Sequence, residues 1–435
     1  MIYYYTTQDK NCRVSFEDAV MRGMAEDGGL FIPERIPQMP EAFFKRISTL
    51  SFSDIAYDIS SVLLQDVLSQ SDLKTIIAKA FTFDAPLKQL SQDFYALELF
   101  HGPTLSFKDF GARFMAQLLS CFAQQNDKKL NILVATAGDT GSAIAQAFLN
   151  VPGTKVWILY PKGKVSWSQE KQLTTFGQNI TALEIDGSFD DCQRLVKQAF
   201  SDPILRQKMS ITSANSINIA RLIPQMFYYF YAFAQLKDQN LPLVFSVPSG
   251  NYGNLIAGLW AKKMGLPIAH FVAATNANDC VPRYLESGSF EPHPSIHTMS
   301  NAMDVGNPNN FVRMLDLYAG DREQMRQDIY GISFTDSQTE SAIKDALAQF
   351  GYLLDPHGAV AYLGLKSYLS KINKKANGVF LETAHPAKFT DSVEKIVKVK
   401  IPIPERLQKV LSKEKRSILL TTQYEDFLQI LQEKT

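Results

Sequence analysis

The stretch His101-Gly-Pro-Thr-Leu-Ser-Phe-Lys108-Asp109-Phe110-Gly sets one lysine among apolar and small residues, where a helix begins. A lysine held between Phe107 and Phe110 loses hydration, which lowers its pKa and frees the amine as a nucleophile. Such amines form Schiff bases with carbonyl compounds, pyridoxal phosphate above all. The following residues carry an apolar stripe at Phe110, Phe114, Met115, Leu118, Leu119 and Phe122, the spacing of a helix. Lys108 and Asp109 therefore stand near a helix amino terminus. A carboxylate suits that end of the helix dipole and an ammonium does not, which again favours a neutral or carbonyl-bound nitrogen. The same residues also fit a lysine whose stem packs while its amine reaches water.

Four other stretches have the composition of ligand loops. Ser249, Gly250, Asn251, Tyr252, Gly253 and Asn254 lie between an apolar strand and a helix. Glycines there let backbone N–H groups turn toward one point, and the helix adds its own free donors, so the turn can hold a phosphate without a basic side chain. It is also a plain connection in form, and neither a Gly-x-Gly-x-x-Gly fingerprint nor a Walker A motif is present. Thr136-Ala137-Gly-Asp139-Thr140-Gly is a second such loop, open to ligand binding at the strand ends or to helix capping by Asp139 or Thr140. Asn215, Ser216 and Arg221 open a further helix. They suit either an anion grip or a cap by Asn215 or Ser216. Thr383 follows the last apolar strand, where a hydroxyl can meet a heteroaromatic nitrogen. His385 beside it reads as a satisfied structural histidine or a catalytic one. The remaining histidines show no metal-ligand spacing.

The elements that must position these residues alternate. Apolar strands at Asn131–Ala135, Val156–Tyr160, Ala182–Ile185, Leu243–Val247, Ile268–Ala274 and Gly378–Leu381 are separated by helical patterns. This rhythm predicts parallel sheets covered on both faces, an α/β architecture. Before residue 95 the chain has short amphipathic segments, with helices over Phe16–Met24 and Ile55–Leu68 and the turn Glu26-Asp-Gly-Gly between them. The rhythm changes near residue 95. The apolar run Phe227–Ala234 reads as a buried helix, and Lys409–Arg416 as a solvated basic face.

Composition bounds the function. The 435 residues include 44 Lys plus Arg and 44 Asp plus Glu, a net charge of zero. That argues against bulk binding to nucleic acid or to an anionic membrane, while leaving room for a local anion pocket. The cysteines Cys12, Cys121, Cys192 and Cys280 form no CxxC pair, so neither a zinc site nor a redox motif is expected. The amino terminus lacks the basic and apolar regions of a signal peptide, and no window approaches a membrane span. A cytoplasmic setting is expected.

Taken together and in order, these pieces resemble the threonine synthase family, in the form with a long amino-terminal domain found in bacteria and fungi. The resemblance is carried by Glu26-Asp-Gly-Gly-Leu, HGPTLSFKDFGARF (101–114), TAGDTGSA (136–143), GKVSWSQEK (163–171), SANSINIARL (213–222), VPSGNYGN (247–254), AATNAND (273–279), SNAMDVGNPNN (300–310) and ETAHPAKF (382–389). It implies fold type II among pyridoxal-phosphate enzymes: two open parallel-sheet α/β subdomains plus an amino-terminal domain. The division implied by this resemblance is an amino-terminal domain over 1–95, a catalytic region over 96–400 whose small subdomain spans about 110–210, and a helical tail over 401–435. It makes Lys108 the Schiff-base and catalytic lysine, Ser249 to Asn254 the cradle of the cofactor phosphate, and Thr383 the partner of the pyridine nitrogen. Shorter relatives have asparagine where Asp139 stands, near the cofactor's 3-hydroxyl; aspartate suits the long form. Asn215, Ser216 and Arg221 match positions that hold the substrate phosphate. The loop with Thr136, Ala137 and Thr140 is expected to receive the substrate carboxylate, Thr140 being shared with the phosphate.

The implied reaction converts O-phospho-L-homoserine and water to L-threonine and phosphate, by loss of the γ-phosphate and addition of water at the β-carbon. A monomer or weak homodimer is implied, with a small-molecule substrate and no nucleic-acid or membrane partner. Two other readings stay open at this point. One is a phospholyase that releases phosphate, ammonia and 2-oxobutanoate from O-phosphothreonine. The other is an inactive homologue acting as a binding protein.

Overall fold

A computed structural model describes residues 1–126, 129–136, 138–236 and 240–433. Two strands near the amino terminus, β1 (Tyr4–Thr6) and β2 (Phe31–Pro33), pair antiparallel. The larger sheet contains β3 (Leu87–Ser91), β4 (Phe94–Glu98), β9 (Leu243–Pro248), β10 (Ile268–Thr275), β11 (Ile329–Ser333) and β12 (Asn377–Glu382). Its order is β11-β10-β9-β12-β4-β3, parallel except for the β3–β4 hairpin. The smaller sheet contains β5 (Leu130–Ala135), β6 (Thr154–Pro161), β7 (Ile180–Ile185), β8 (Ser210–Ser213) and β13 (Ile418–Leu420), all parallel in the order β13-β7-β6-β5-β8.

The apolar runs became buried strands because each is covered on both faces. Every residue of β5, β9 and β12 is buried. One core joins the amino-terminal segment, the helix Lys108–Gln125 and the aromatic helix Ile223–Leu236 between the two sheets. Separate clusters cover the far face of each sheet. No helix among the described residues is long and apolar enough to cross a membrane.

Three local expectations differ from the structure. The tail after residue 401 holds a strand as well as helices: β13 pairs with β7 and closes the edge of the smaller sheet, where exposed N–H and C=O groups would otherwise stand unpaired. β3 lies within the first 95 residues yet belongs to the larger sheet. The helix expected from Asn215 starts later, as a 3-10 turn at Ile219–Arg221 followed by Ile223–Leu236. Its cap is Asn218, whose side chain accepts from the Ala220 N–H at 3.0 Å, rather than Asn215 or Ser216.

Candidate active site

The loops after β4, β5, β8, β9 and β12 all leave the carboxyl ends of their strands, where open α/β sheets bind ligands. They meet in one cleft. Of the residues singled out from sequence, Lys108, Asp139, Ser216, Arg221, Ser249 to Asn254 and Thr383 line it. A larger cavity of about 330 Å³ lies beneath the helix Phe16–Arg22. Its described lining contains no lysine, histidine or cysteine; the candidate site residues named above line the smaller cleft.

Lys108 is the first residue of its helix. Its Nζ stands 4.5 Å from the centre of the Phe107 ring, and no protein group among the described residues hydrogen-bonds it. Burial and the nearby Arg221 charge pull this amine down to about 8, against the opposing pull of Asp139. The turn before it is tightly built. Leu105 sits at φ 62°, a strained conformation for a bulky residue. Asp109 folds back on this turn, accepting from the Thr104 N–H at 2.9 Å and hydroxyl at 2.8 Å. Burial raises the Asp109 carboxyl to about 6.

The turn after β9 is a cradle of unused donors. Ser249 N–H bonds Ala274 O, but no acceptor among the described residues takes the N–H groups of Gly250 to Asn254. Tyr252 is left-handed at φ 60°, a conformation that gathers successive N–H groups into a concave anion nest. The neighbours hold this turn in place. Asn309 N–H donates to Asn251 Oδ1 at 2.6 Å, Asn251 Nδ2 to Ser216 Oγ at 2.8 Å, and Asn310 Nδ2 to Asn251 O at 2.9 Å. Tyr228 and Tyr229 both donate to Asn254 Oδ1 at 2.7 Å. A Cβ on Gly250 would stand 2.7 Å from Met303 Cα, so only glycine fits there. Thr383 is buried and its hydroxyl has no protein partner among the described residues, while its carbonyl accepts from Phe107 N–H at 2.9 Å.

Arg221 is 1% exposed and forms no ion pair with any described carboxylate. One terminal nitrogen donates to Ala214 O, and its buried Nε has no partner. Burial lowers even this guanidinium to about 10. It lies against the helix Lys108–Gln125 at Gly111, where a Cβ would stand 2.8 Å from Nε. A buried, unmatched arginine costs free energy unless an anion joins it. The donors therefore fit a ligand with two anionic groups and a carbonyl: a phosphate for the cradle, a second anion for Arg221, and an aldehyde for Lys108. Pyridoxal phosphate with a phosphorylated substrate meets that description.

Other sequence-predicted residues stand behind the cleft. Thr136 Oγ1 accepts from the Gly138 and Gly141 N–H groups at 3.0 and 2.9 Å and so shapes its own loop. Asn215 spans the end of β5, donating to Ala135 O at 2.7 Å and accepting from Ala135 N–H at 3.2 Å. Thr140 lies in the first turn of the helix Asp139–Phe148, away from the lining, and Ala137 falls outside the described residues. Gly138 occupies the cap position, so neither Asp139 nor Thr140 is the cap. His385 is structural: its Nδ1 accepts from Ala387 N–H at 3.0 Å, and burial lowers it to about 4, which keeps it neutral.

Two residues of the site escaped the sequence reading. His357 lines the cleft. Its Nε2 accepts from Ala302 N–H at 3.2 Å, so the proton lies on Nδ1, 2.6 Å from Asp355 Oδ1. The Asp355-Pro356 helix start was a readable signal. Lys388 is fully buried, 2.8 Å from Asp139 Oδ1 and 2.7 Å from Thr104 O. It lies between Ala387 and Phe389, the apolar flanking that also marked Lys108.

The amino-terminal segment holds the loop 212–218 from outside. Val20 O accepts from Asn218 Nδ2 at 2.9 Å and Thr212 Oγ1 at 3.1 Å. The buried Arg313 donates to Phe31 O at 2.9 Å and to Ile217 O at 2.7 Å.

Comparison with known proteins agrees with this geometry. Family models match for a pyridoxal-phosphate dependent enzyme over residues 73–383, the threonine synthase N terminus over 3–81 and the threonine synthase C-terminal region over 358–430. The chain is 49% identical over 406 residues to threonine synthase of Haemophilus influenzae, covering 93% of each protein. It superposes on the crystal structure of threonine synthase from Escherichia coli with a TM-score of 0.93 at 42% identity, covering all of both chains. Pyridoxal-phosphate-bound threonine synthase from Brucella melitensis also gives 0.93, at 33% identity, over 100% of this chain and 99% of that one.

Proposed function

The chain belongs to the threonine synthase family of pyridoxal-phosphate-dependent enzymes, and on that premise we propose how its residues convert O-phospho-L-homoserine and water to L-threonine and phosphate. The observation that carries the assignment of roles is the sharing of one cleft by an unpaired lysine amine, an unmatched buried arginine and a run of free N–H donors.

Pyridoxal phosphate, when bound, supplies an electron sink for the carbanions that form beside the substrate's amino group. Gly250 to Asn254 hold the cofactor phosphate through their N–H groups. The Thr383 hydroxyl would hold the ring nitrogen of the cofactor, and Asp139 would lie toward its 3-hydroxyl. Lys108 anchors the cofactor. When free, the Lys108 amine would be the base that moves protons at the substrate's α- and β-carbons, and burial beside Arg221 lowers it to about 8, toward the range such work needs. Arg221 and Ser216 hold the substrate phosphate, and the guanidinium stabilises the charge that grows as phosphate leaves the γ-carbon. The N–H groups of Asp139 and Thr140, at the start of the helix Asp139–Phe148, are the donors for the substrate carboxylate, with Thr136 and Asn215 shaping the loops behind. Water then adds at the β-carbon. The small unit around the five-stranded sheet closes on substrate and excludes other water.

Incubation with pyridoxal phosphate and O-phospho-L-homoserine tests this reading. Phosphate and threonine should appear in equal amounts. Phosphate, ammonia and 2-oxobutanoate from O-phosphothreonine, without threonine from O-phospho-L-homoserine, would replace it with a phospholyase.

A further inference from the structure

Lys388 is a buried lysine that the reaction described above does not use. Its Nζ is 2.8 Å from Asp139 Oδ1 and 2.7 Å from Thr104 O. Gln169 Nε2 reaches the same Asp139 oxygen at 3.0 Å. The contact joins the two sheets' elements, because Lys388 lies in the turn after β12 of the larger sheet and Asp139 begins the helix after β5 of the smaller one. Burying such a pair rarely adds net stability, since desolvation of both ions offsets their attraction. Another consequence must account for it.

The charges around Lys108 supply that consequence. Its own helix carries Asp109 and Arg113, the 3-10 turn carries Arg221, and the helix Asp139–Phe148 carries Asp139. His357 comes from the helix Pro356–Ile372 and Lys388 from the turn Pro386–Phe389. Two of these groups are buried carboxylates. Asp109 is engaged by Thr104, and Asp139 by Lys388 and Gln169. Lys108 and Arg221, the two cations in the cleft, are left without an anion.

We propose that Lys388 is a positioning residue for the reaction: it holds the Asp139 carboxylate away from Lys108, so that the Lys108 amine stays free to take the cofactor. This rests on Lys108 being the cofactor lysine. Burial pushes the Asp139 carboxyl up, yet Lys388 and Gln169 together hold it below its ordinary value, so Asp139 is an anion that would pair with Lys108 if released.

The test uses the full chain freed of cofactor. The rate of pyridoxal phosphate capture, read from the visible band of the bound cofactor, is measured against pH. In the parent protein capture rises with pH as the Lys108 ammonium loses its proton. In Lys388→Met the released carboxylate favours that ammonium, and the midpoint moves up by about one pH unit, a tenfold slower capture below it. In Asp139→Asn the unpaired Lys388 charge moves the midpoint down. The double variant has neither ion, and its midpoint returns to the parent value or below.

Opposite shifts in the single variants support the proposal. A common direction, or an unmoved midpoint in Lys388→Met, overturns it and leaves the pair a packing device. Should Lys388→Met not fold, the double variant decides, because a midpoint above the parent value there overturns the idea. Lys108→Ala is the control: if it captures cofactor with the parent profile, the assignment of Lys108 has failed instead.

Discussion

The turn 249–254 and the loop 136–140 occupy similar places, each between a buried strand and a helix, yet they are braced in different ways. The first is held by neutral hydrogen bonds and by contact. Asn251 is clasped by Asn309, Asn310 and Ser216, Asn254 by two tyrosines, and Gly250 lies against the Met303 backbone. The second is shaped by the Thr136 hydroxyl and tied to its surroundings by Gln169 and by the ion pair of Asp139 with Lys388, from an element of the other sheet. A dense net of uncharged contacts makes a rigid cradle that is insensitive to pH. A single ionic tie can be shifted by neighbouring charge and by movement of either side. In the proposed function, the wall made by the neutral net serves the part of the site that stays occupied and the wall made by the ionic tie serves the part that turns over.

Several substitutions can break this contrast, beginning with the residue between the two walls. Lys108→Ala should lower turnover by ~10⁴-fold, because anchor and base are lost together. Substantial residual turnover would remove Lys108 from both roles. Arg221→Ala should raise the KM for O-phospho-L-homoserine by about 100-fold, the size of a lost charge-assisted bidentate contact, with little change in cofactor affinity. Equal losses in substrate and cofactor binding would make Arg221 a structural member of both walls.

Gly250→Ala attacks the rigid wall alone. Its Cβ must displace the Met303 backbone, an overpacking of about 1–3 kcal/mol that should appear as a ~10- to 100-fold weaker cofactor affinity in a fluorescence titration. Parent-like affinity would mean that the cradle is as adjustable as its counterpart. Thr136→Val attacks the other wall and should have the smallest effect. The Gly138 N–H loses its acceptor, while the Gly141 N–H keeps Gly138 O at 3.1 Å, a cost of ~1–2 kcal/mol, giving a roughly tenfold rise in KM with unchanged cofactor affinity. A matching fall in cofactor affinity would show that the two walls are coupled.

Much of this was legible in the chain. The apolar runs that became β5, β9 and β12 are fully buried strands, those of β6 and β10 largely so, and an unbroken apolar run between glycine-rich turns permits little else. The loops at their ends could be located for the same reason. Lys108 could be singled out because a charged residue among Phe107, Phe110 and small neighbours conflicts with its own hydration.

The same local signal stood at Lys388, between Ala387 and Phe389, without revealing a role, because its partner lies 249 positions earlier, at Asp139. Thr136 and Asn215 had the right chemistry to face a ligand. Whether a hydroxyl or amide faces a ligand or its own backbone depends on side-chain direction, which composition does not encode. Asn218 rather than Asn215 caps its helix because Val20 O and Ser213 O fix its side chain there.

By itself, the order of residues determined the α/β architecture, the strand-end loops and the lysine poised for carbonyl chemistry, since these follow from local periodicity, glycine placement and the cost of burying charge. Only the tertiary structure decided which carboxylate pairs with which lysine, which polar groups open into the cleft, and that the amino-terminal segment holds the loop 212–218 through Val20 directly and through Phe31 by way of Arg313. Those outcomes depend on distances between residues far apart in the chain, which are set when the two sheets pack together.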